Sequence, residues 1–299
     1  MICHRRLLVV ILSLSGFFLQ SCDGDFSPKA PFEQKLVVFS LLSAAQDTQY
    51  IQVARTYDVE GFDPFQNRKA PDVTDAEVKV ITDDGSVILF QDTAIQREND
   101  ERYGIDGHAF MASQFRVLPR TNYQLEVTSP TYGVARASFQ TPNAIGIGHL
   151  ADRNTGAFTV RATSFGAKGF LIRLYAVFTQ DQDGNLVELA VEVPRSILND
   201  GTRIYPDVDR LSIRSFSGDV LAAVRGEVIT SDTTDSVEEI GMRIIVWSLE
   251  PNAYNYYQVS RGFNDRFSVR VDVPDFTNIE GGFGVFGGLL VDTLFVRAL

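Results

Sequence analysis

Few residues in this 299-residue chain have the types and spacing that chemistry needs. Of its three histidines, His108 and His149 lie beyond the first 21 residues. Neither has cysteine, histidine or glutamate neighbours at metal-ligand spacing. Ser164 and Ser217 sit in TSFG and SFSG, without the flanking glycines of a nucleophile elbow, and nothing points to a triad with the distant His149. Carboxylates are plentiful, but sequence does not give the separation a glycosidase pair requires. Asp181, Asp183, Asn185 and Glu188 (DQDGNLVE) begin like a calcium loop. Glycine falls fourth instead of sixth and no glutamate follows at the twelfth position, so a plain hairpin is the expectation. Gly281–Gly288 (GGFGVFGG) leads into a strand, which leaves no helix terminus to cradle a phosphate. Two readings of that loop stay open. Its glycines allow close packing, with Phe283 and Phe286 plugging a core. Alternatively it joins Tyr254, Tyr256 and Tyr257 in a recognition surface, since tyrosine combines apolar area with a hydroxyl. The expectation is a non-enzymatic chain with no metal and no cofactor.

Cys22 has the best-defined chemical role. Arg5 and Arg6 precede an apolar run from Leu7 to Leu19, and Leu19-Gln20-Ser21-Cys22 is followed by the polar CDGDFSPKAP. A basic start, a short apolar stretch and a small residue before the break are the parts of a secretory signal. The run is shorter than the roughly 20 apolar residues that cross a bilayer. LQSC resembles the lipobox of bacterial lipoproteins, which implies cleavage before Cys22 and acylation of its thiol; an ordinary secretory peptide and a retained membrane helix are the alternatives. Cys3 would leave with residues 1–21, so Cys22 would be the remaining cysteine, unable to form an internal disulfide. Residues 22–35 read as a tether, at most roughly 50 Å long when stretched. Asp23 and Asp25 look like a short acidic export mark of the kind some Gram-negative groups place beside the lipidated cysteine. The formal net charge is −11, which argues against nucleic acid as a partner and leaves the lipid as the membrane attachment.

The elements around these residues read as sheet. Phenylalanine (22) and tyrosine (10) are abundant, and long helical tracts are scarce. Between residues 36 and 141 about seven short strand candidates alternate with turns, among them Leu36–Leu42, Gln49–Thr56, the hairpin Ala76–Ile81/Val87–Phe90 around Asp84-Gly85, Tyr123–Thr128 and Val134–Gln140. Residues 91–102 read as a loop, as does 57–72, whose Tyr57, Phe62 and Phe65 either cover a sheet edge or face a partner. An antiparallel β-sandwich of immunoglobulin-like type, 36–142, is the natural layer solution. Thr141-Pro142-Asn143 marks the boundary to a second β-rich domain, 143–299. There Phe158–Thr163 is expected to pair with Phe170–Thr179, a central strand apolar on both faces. Val220–Ile229, Ile240–Leu249, Phe267–Val273 and Leu289–Val296 read as further strands. Pro194–Asp200 reads as a helical turn or loop. One short helix is expected over 249–263, with Pro251 in its first turn and packed against the glycine-rich loop.

LQSC followed closely by LVVFSLL, then AEVKVITDDGS, NYQLEVTSPTYGVARASFQTP, YNYYQ and NIEGGFGVFGG, together resemble a family of Bacteroidetes-type outer-membrane lipoproteins, domain of unknown function 4249 (DUF4249). Here Glu280 stands between NI and GG, and LEPNAYNYY matches the family's helical segment loosely. The resemblance implies two β-rich domains, an outer-membrane location facing the periplasm or the cell exterior, and an outer-membrane transporter as partner. It carries no catalytic residues. The expected function is a non-catalytic binding or accessory component that presents sandwich loops to a membrane protein, a peptide or a glycan. An envelope hydrolase acting on polysaccharide or peptidoglycan is the second reading.

Overall fold

A computed structural model of the chain describes residues 32–58, 69–96, 106–152, 154–182, 185–198, 200–208, 211–228, 237–261 and 276–297. Cys22, the start of the tether, Phe62, Phe65 and the expected strand at 267–273 lie outside the described residues. The first half supplies seven strands: β1 (Leu36–Ser43), β2 (Gln49–Arg55), β3 (Glu77–Thr82), β4 (Val87–Gln96), β5 (Asp106–Ala112), β6 (Asn122–Ser129) and β7 (Gly133–Gln140). Alternation sets their faces. In β6, Tyr123, Leu125 and Val127 are buried while Asn122, Gln124 and Thr128 are exposed. The β3–β4 turn forms where expected. Gly85 takes φ +81°, and Asp84 accepts from the Thr82 hydroxyl and the Ser86 N–H.

The second half adds β8 (Gly146–Asp152), β9 (Ala157–Thr163), β10 (Gly169–Gln182), β11 (Asn185–Glu192), the short pair β12 (Ser196–Ile197) and β13 (Arg203–Ile204), and β14 (Ser212–Phe216). Helix α1 (Ser217–Val228), β15 (Val237–Leu249), helix α2 (Pro251–Arg261) and β16 (Gly282–Arg297) follow. The chain is mostly strand. Eleven strands form one mixed sheet in the order β11-β10-β15-β16-β1-β2-β5-β4-β3-β6-β7. β14-β9-β8 form a smaller sheet.

β16 joins the halves. It runs antiparallel to β15 and parallel to β1, so the last strand of the chain lies beside the first. The sheet curls back on itself. Arg136 of β7 exchanges backbone hydrogen bonds with Glu280, 2.9 and 2.7 Å, just before β16 begins. Phe139 of β7 meets Phe286 of β16 edge-on, with centroids 4.8 Å apart. The first core lies inside this curl, from Leu36 and Val38 through Tyr123 and Phe139, completed by Ile279, Phe286 and Leu290. A second core forms where β10 and β15 face β9, β14 and α1, around Phe170, Ile172, Leu174, Val160, Ile213 and Ala223. The first core thus draws on both ends of the chain, and the large sheet runs through both cores; Gln34–Leu299 form one compact unit.

Several elements differ from the sequence reading, each for a physical reason. Val220–Ile229 was expected as a strand, but Ser217–Val228 is helical, which gives two helices among the described residues instead of one. Val220, Ala223 and Val224 recur at i, i+3 and i+4 and face the second core, and Asp219 favours the first turn. Gly281–Gly288 is no loop: Gly282–Gly288 pair in register with Leu36–Leu42. β9 pairs with β8 and β14 and not with β10, whose neighbours are β11 and β15. β4 runs on to Gln96 through residues read as loop, because Gln91–Gln96 pair with Asp106–Met111. Ser196–Ile197 form a small strand pair with Arg203–Ile204, where a helical turn or loop was expected.

Candidate functional site

α2 lies on the outer face of the large sheet and is held there by its first residues. Pro251 occupies the first helical position, where its missing N–H costs nothing, so Glu250 is the N-cap. Its carboxylate accepts from the N–H groups of Asn252 (2.8 Å) and Ala253 (2.7 Å), and from that of Gly288 on β16 (3.3 Å). Glu250 is 1 % exposed. Burial raises its pKa above the ordinary glutamate value, and the three N–H donors pull the other way. Gly287 makes the close approach possible: a Cβ there would fall 2.5 Å from the Glu250 Oε1 and 3.0 Å from the Ala253 nitrogen. At Gly284, φ is +110° and a Cβ would collide with the Val38 carbonyl on β1.

The tyrosines divide by helix face. Tyr254 lies over Gly169, whose missing side chain leaves room for the ring. The Tyr257 hydroxyl donates to Asp207 at 3.3 Å, and the Gln258 side chain donates to the Val208 carbonyl at 3.1 Å. Tyr254 and Tyr257 pack with Leu41, Leu171, Trp247 and Leu289 and dock the helix. Tyr256 turns the other way and meets Phe39 of β1 at 5.7 Å, ring edge to face. With Phe39, Leu41, Tyr50, Ile95, Ala109 and Val285 it lines an apolar groove of about 350 Å³. Phe283 is exposed on the same sheet face, paired in register with Val37, and the Lys35 ammonium stands 6.0 Å from its ring. Phe286, one strand residue past Val285, points to the opposite side and is 0 % exposed. Of the five aromatic residues singled out in sequence, the structure therefore brings Tyr256 and Phe283 to the open face, uses Tyr254 and Tyr257 as anchors, and puts Phe286 in the core.

A second concavity of about 640 Å³ opens at the start of α2, between the 118–121 turn, the 141–143 connection and the 164–166 turn. Its polar lining includes Arg120, Gln140, Asn143 and Asn252, with Phe165 at the rim and Glu250 at the floor. The walls are tied together. Arg120 N–H donates to the Pro142 carbonyl (2.9 Å), Asn143 N–H to Phe165 (2.8 Å), and the Ser164 hydroxyl to the Asn143 carbonyl (2.5 Å). Sequence reasoning passed over this cleft. Glu250 had one readable signal, a side-chain acceptor immediately before a helix-starting proline. Arg120 and Phe165 had none, because their neighbours are distant in sequence.

The remaining candidates are accounted for locally. His108 Nδ1 lies 3.2 Å from an Asp92 carboxylate oxygen, and His149 stacks on Phe158 with centroids 6.0 Å apart. Glu188 pairs with Arg243 at 3.2 Å, and Asp181 and Asn185 belong to the β10–β11 hairpin, while Asp183 lies outside the described residues. Among the described residues no three histidine, cysteine, aspartate or glutamate side chains gather as a metal site.

A mixed-sheet, β-rich protein with one apolar groove beside a docked helix and one polar cleft at that helix's start is the class these features define. The chain matches the family model of the domain of unknown function DUF4249 over residues 23–294, and it belongs to that family. The comparison with curated proteins gave no match.

Proposed function

We propose that the chain is a lipid-anchored outer-membrane protein of the Bacteroidetes type, held by Cys22, which works by docking an envelope partner and not by catalysis. The observation that carries this reading is the groove between Tyr256 and the Phe39–Tyr50 face. Tyr50 is 47 % exposed and Phe283 46 %, and exposed aromatic residues flanking an apolar floor are what a protein interface uses as anchors. An outer-membrane transporter is the partner proposed. No helix among the described residues is long and apolar enough to cross a membrane.

The immunoglobulin-like form of residues 36–142 belongs to the same proposal. Its support is the strand order, with β1-β2-β5-β4 followed by β3-β6-β7, which is the order of the two sheets of a seven-stranded immunoglobulin-type sandwich. Tyr123, near the start of the sixth strand, accepts the Leu118 N–H on its hydroxyl at 2.8 Å, as a tyrosine corner does. The hydrolase reading needs a second carboxylate across a cleft, and Glu250, the acid that lines the polar cleft, has both oxygens engaged by backbone N–H groups.

Affinity capture from detergent-solubilised outer membrane, with mass spectrometry, tests the reading. The wild type is expected to retain an outer-membrane protein that the Phe39→Ser/Tyr256→Ser double variant loses. Equal capture by both removes the groove from the function. Cys22→Ser is expected to move the protein from the membrane to the soluble fraction, and unchanged fractionation would refute the anchor.

A further inference from the structure

The polar cleft at the start of α2 stands apart from the apolar groove and from the question of anchoring. We propose that it binds a short uncharged oligosaccharide, one pyranose ring stacking on Phe165 and its hydroxyls bonding to Gln140, Asn143, Asn252 and Arg120.

Phe165 carries the first part of the argument. It is 85 % exposed, yet it does not sit on a loose loop. Its own carbonyl accepts the Asn143 N–H, the neighbouring Ser164 hydroxyl donates to the Asn143 carbonyl, and Gly166 turns at φ +86° against Pro142. An aromatic side chain on an anchored backbone, left bare, offers a flat apolar face without the cost of ordering a loop on binding. The second part is the polar set facing it. The side-chain ends of Gln140, Asn143, Asn252 and Arg120 have no hydrogen-bond partner among the described residues. Each carboxamide both donates and accepts, which suits a hydroxyl, itself donor and acceptor. A ligand that presents an apolar face on one side and rings of hydroxyls at its edge satisfies both parts, and a pyranose does so. The cleft's volume falls within the range of small-ligand sites, roughly 300–1,000 Å³. Charge favours an uncharged sugar, because the cleft lining holds one cation, Arg120, and one acid, Glu250, and the chain as a whole carries −11.

Arg120 supplies an unusual control. It adopts φ +54°, a left-handed conformation that glycine takes without strain. Arg120→Gly removes the guanidinium and relaxes the backbone, while the N–H that bonds Pro142 stays in place. Isothermal titration of the full chain with maltotriose, cellotriose and trigalacturonate is the experiment. The expected result is saturable binding of at least one neutral trisaccharide, weakened roughly tenfold in Phe165→Ala and in Arg120→Gly. The melting temperature should be unchanged in the first variant and unchanged or higher in the second. Absence of saturable binding of either neutral sugar at about 10 mM overturns the proposal. So does binding that both variants leave intact, or binding of trigalacturonate alone.

Discussion

Glu250 is the residue whose replacement tests most of this architecture at once. Glu250→Ala removes the acceptor of three N–H groups, two in the first turn of α2 and one on β16. Loss of an N-cap costs about 0.5–2 kcal/mol. The buried Gly288 N–H, left without its partner, adds about 1–3 kcal/mol. A total near 3 kcal/mol, at roughly 2–4 °C per kcal/mol for a chain of this size, lowers the melting temperature by about 6–12 °C. Glu250→Gln separates capping from charge. It keeps one carbonyl acceptor and does not titrate. The wild-type carboxyl has its pKa raised above the ordinary 4.5 by burial. Between those two values the folded carboxyl keeps a proton that the unfolded one has lost, so raising the pH through this window favours unfolding. Stability from this group is therefore complete below 4.5 and is lost as pH rises through the folded pKa. Carboxylates elsewhere with the opposite shift, such as Glu126 beside Lys79 and Asp84 beside Thr82, contribute equally to both proteins and cancel in the difference. Urea unfolding at a series of pH values is the assay. The advantage of wild type over Glu250→Gln should shrink as the pH rises above 4.5 and through the raised folded pKa. A difference that is flat with pH, or a Glu250→Ala variant that melts with the wild type, would refute the buried-cap account.

Two further substitutions probe the joints of the sheet. Gly284→Ala places a Cβ against the Val38 carbonyl at a backbone angle alanine avoids, and should destabilise by about 2–4 kcal/mol or abolish soluble expression. An unchanged melting temperature would mean that β16 does not lie in this register on β1. Tyr123→Phe deletes the hydroxyl that accepts the Leu118 N–H and should cost about 1 kcal/mol, read as a lower urea midpoint at unchanged slope.

How much was legible in the sequence depended on the range of the interaction that decides each element. Strands whose faces follow local alternation, such as Tyr123–Val127, and the turn at Asp84-Gly85, could be read directly. So could α2, from Pro251 and the helical spacing of Ala253, Tyr256 and Tyr257. Where the deciding contact was distant, the reading failed. Val220, Leu221 and Val224 suit a strand by composition, and only the second core shows that Val220, Ala223 and Val224 must share one side. β9 looks ready to pair with the next strand, but Ala157–Thr163 and Ser212–Phe216 find each other across β10 to β13 instead. Of the candidate recognition residues, the tyrosines could not be divided into anchors and open face without knowing the helix's rotation on the sheet.

The glycine-rich segment shows most clearly why composition misled. Four glycines in seven residues suggest a loop, because glycine weakens an isolated strand. In β16 the glycines answer to neighbours on both sides. Gly282 and Gly284 lie against the Leu36 and Val38 carbonyls of β1, Gly287 makes room for the Glu250 carboxylate and the start of α2, and Gly288 for the Phe139 ring. Between them Val285 lies under the open groove and Phe286 fills the first core. The same residues that weaken the strand on its own let sheet, helix and the returning β7 approach one another closely. That close approach puts Glu250 at the floor of the polar cleft and Tyr256 beside the apolar groove, so both candidate sites depend on the register of a single strand. Gly287→Val, which keeps β propensity and removes the space, should therefore lift α2 from the sheet and weaken partner capture and sugar binding together, a coupling that titration and affinity capture on the same variant would detect.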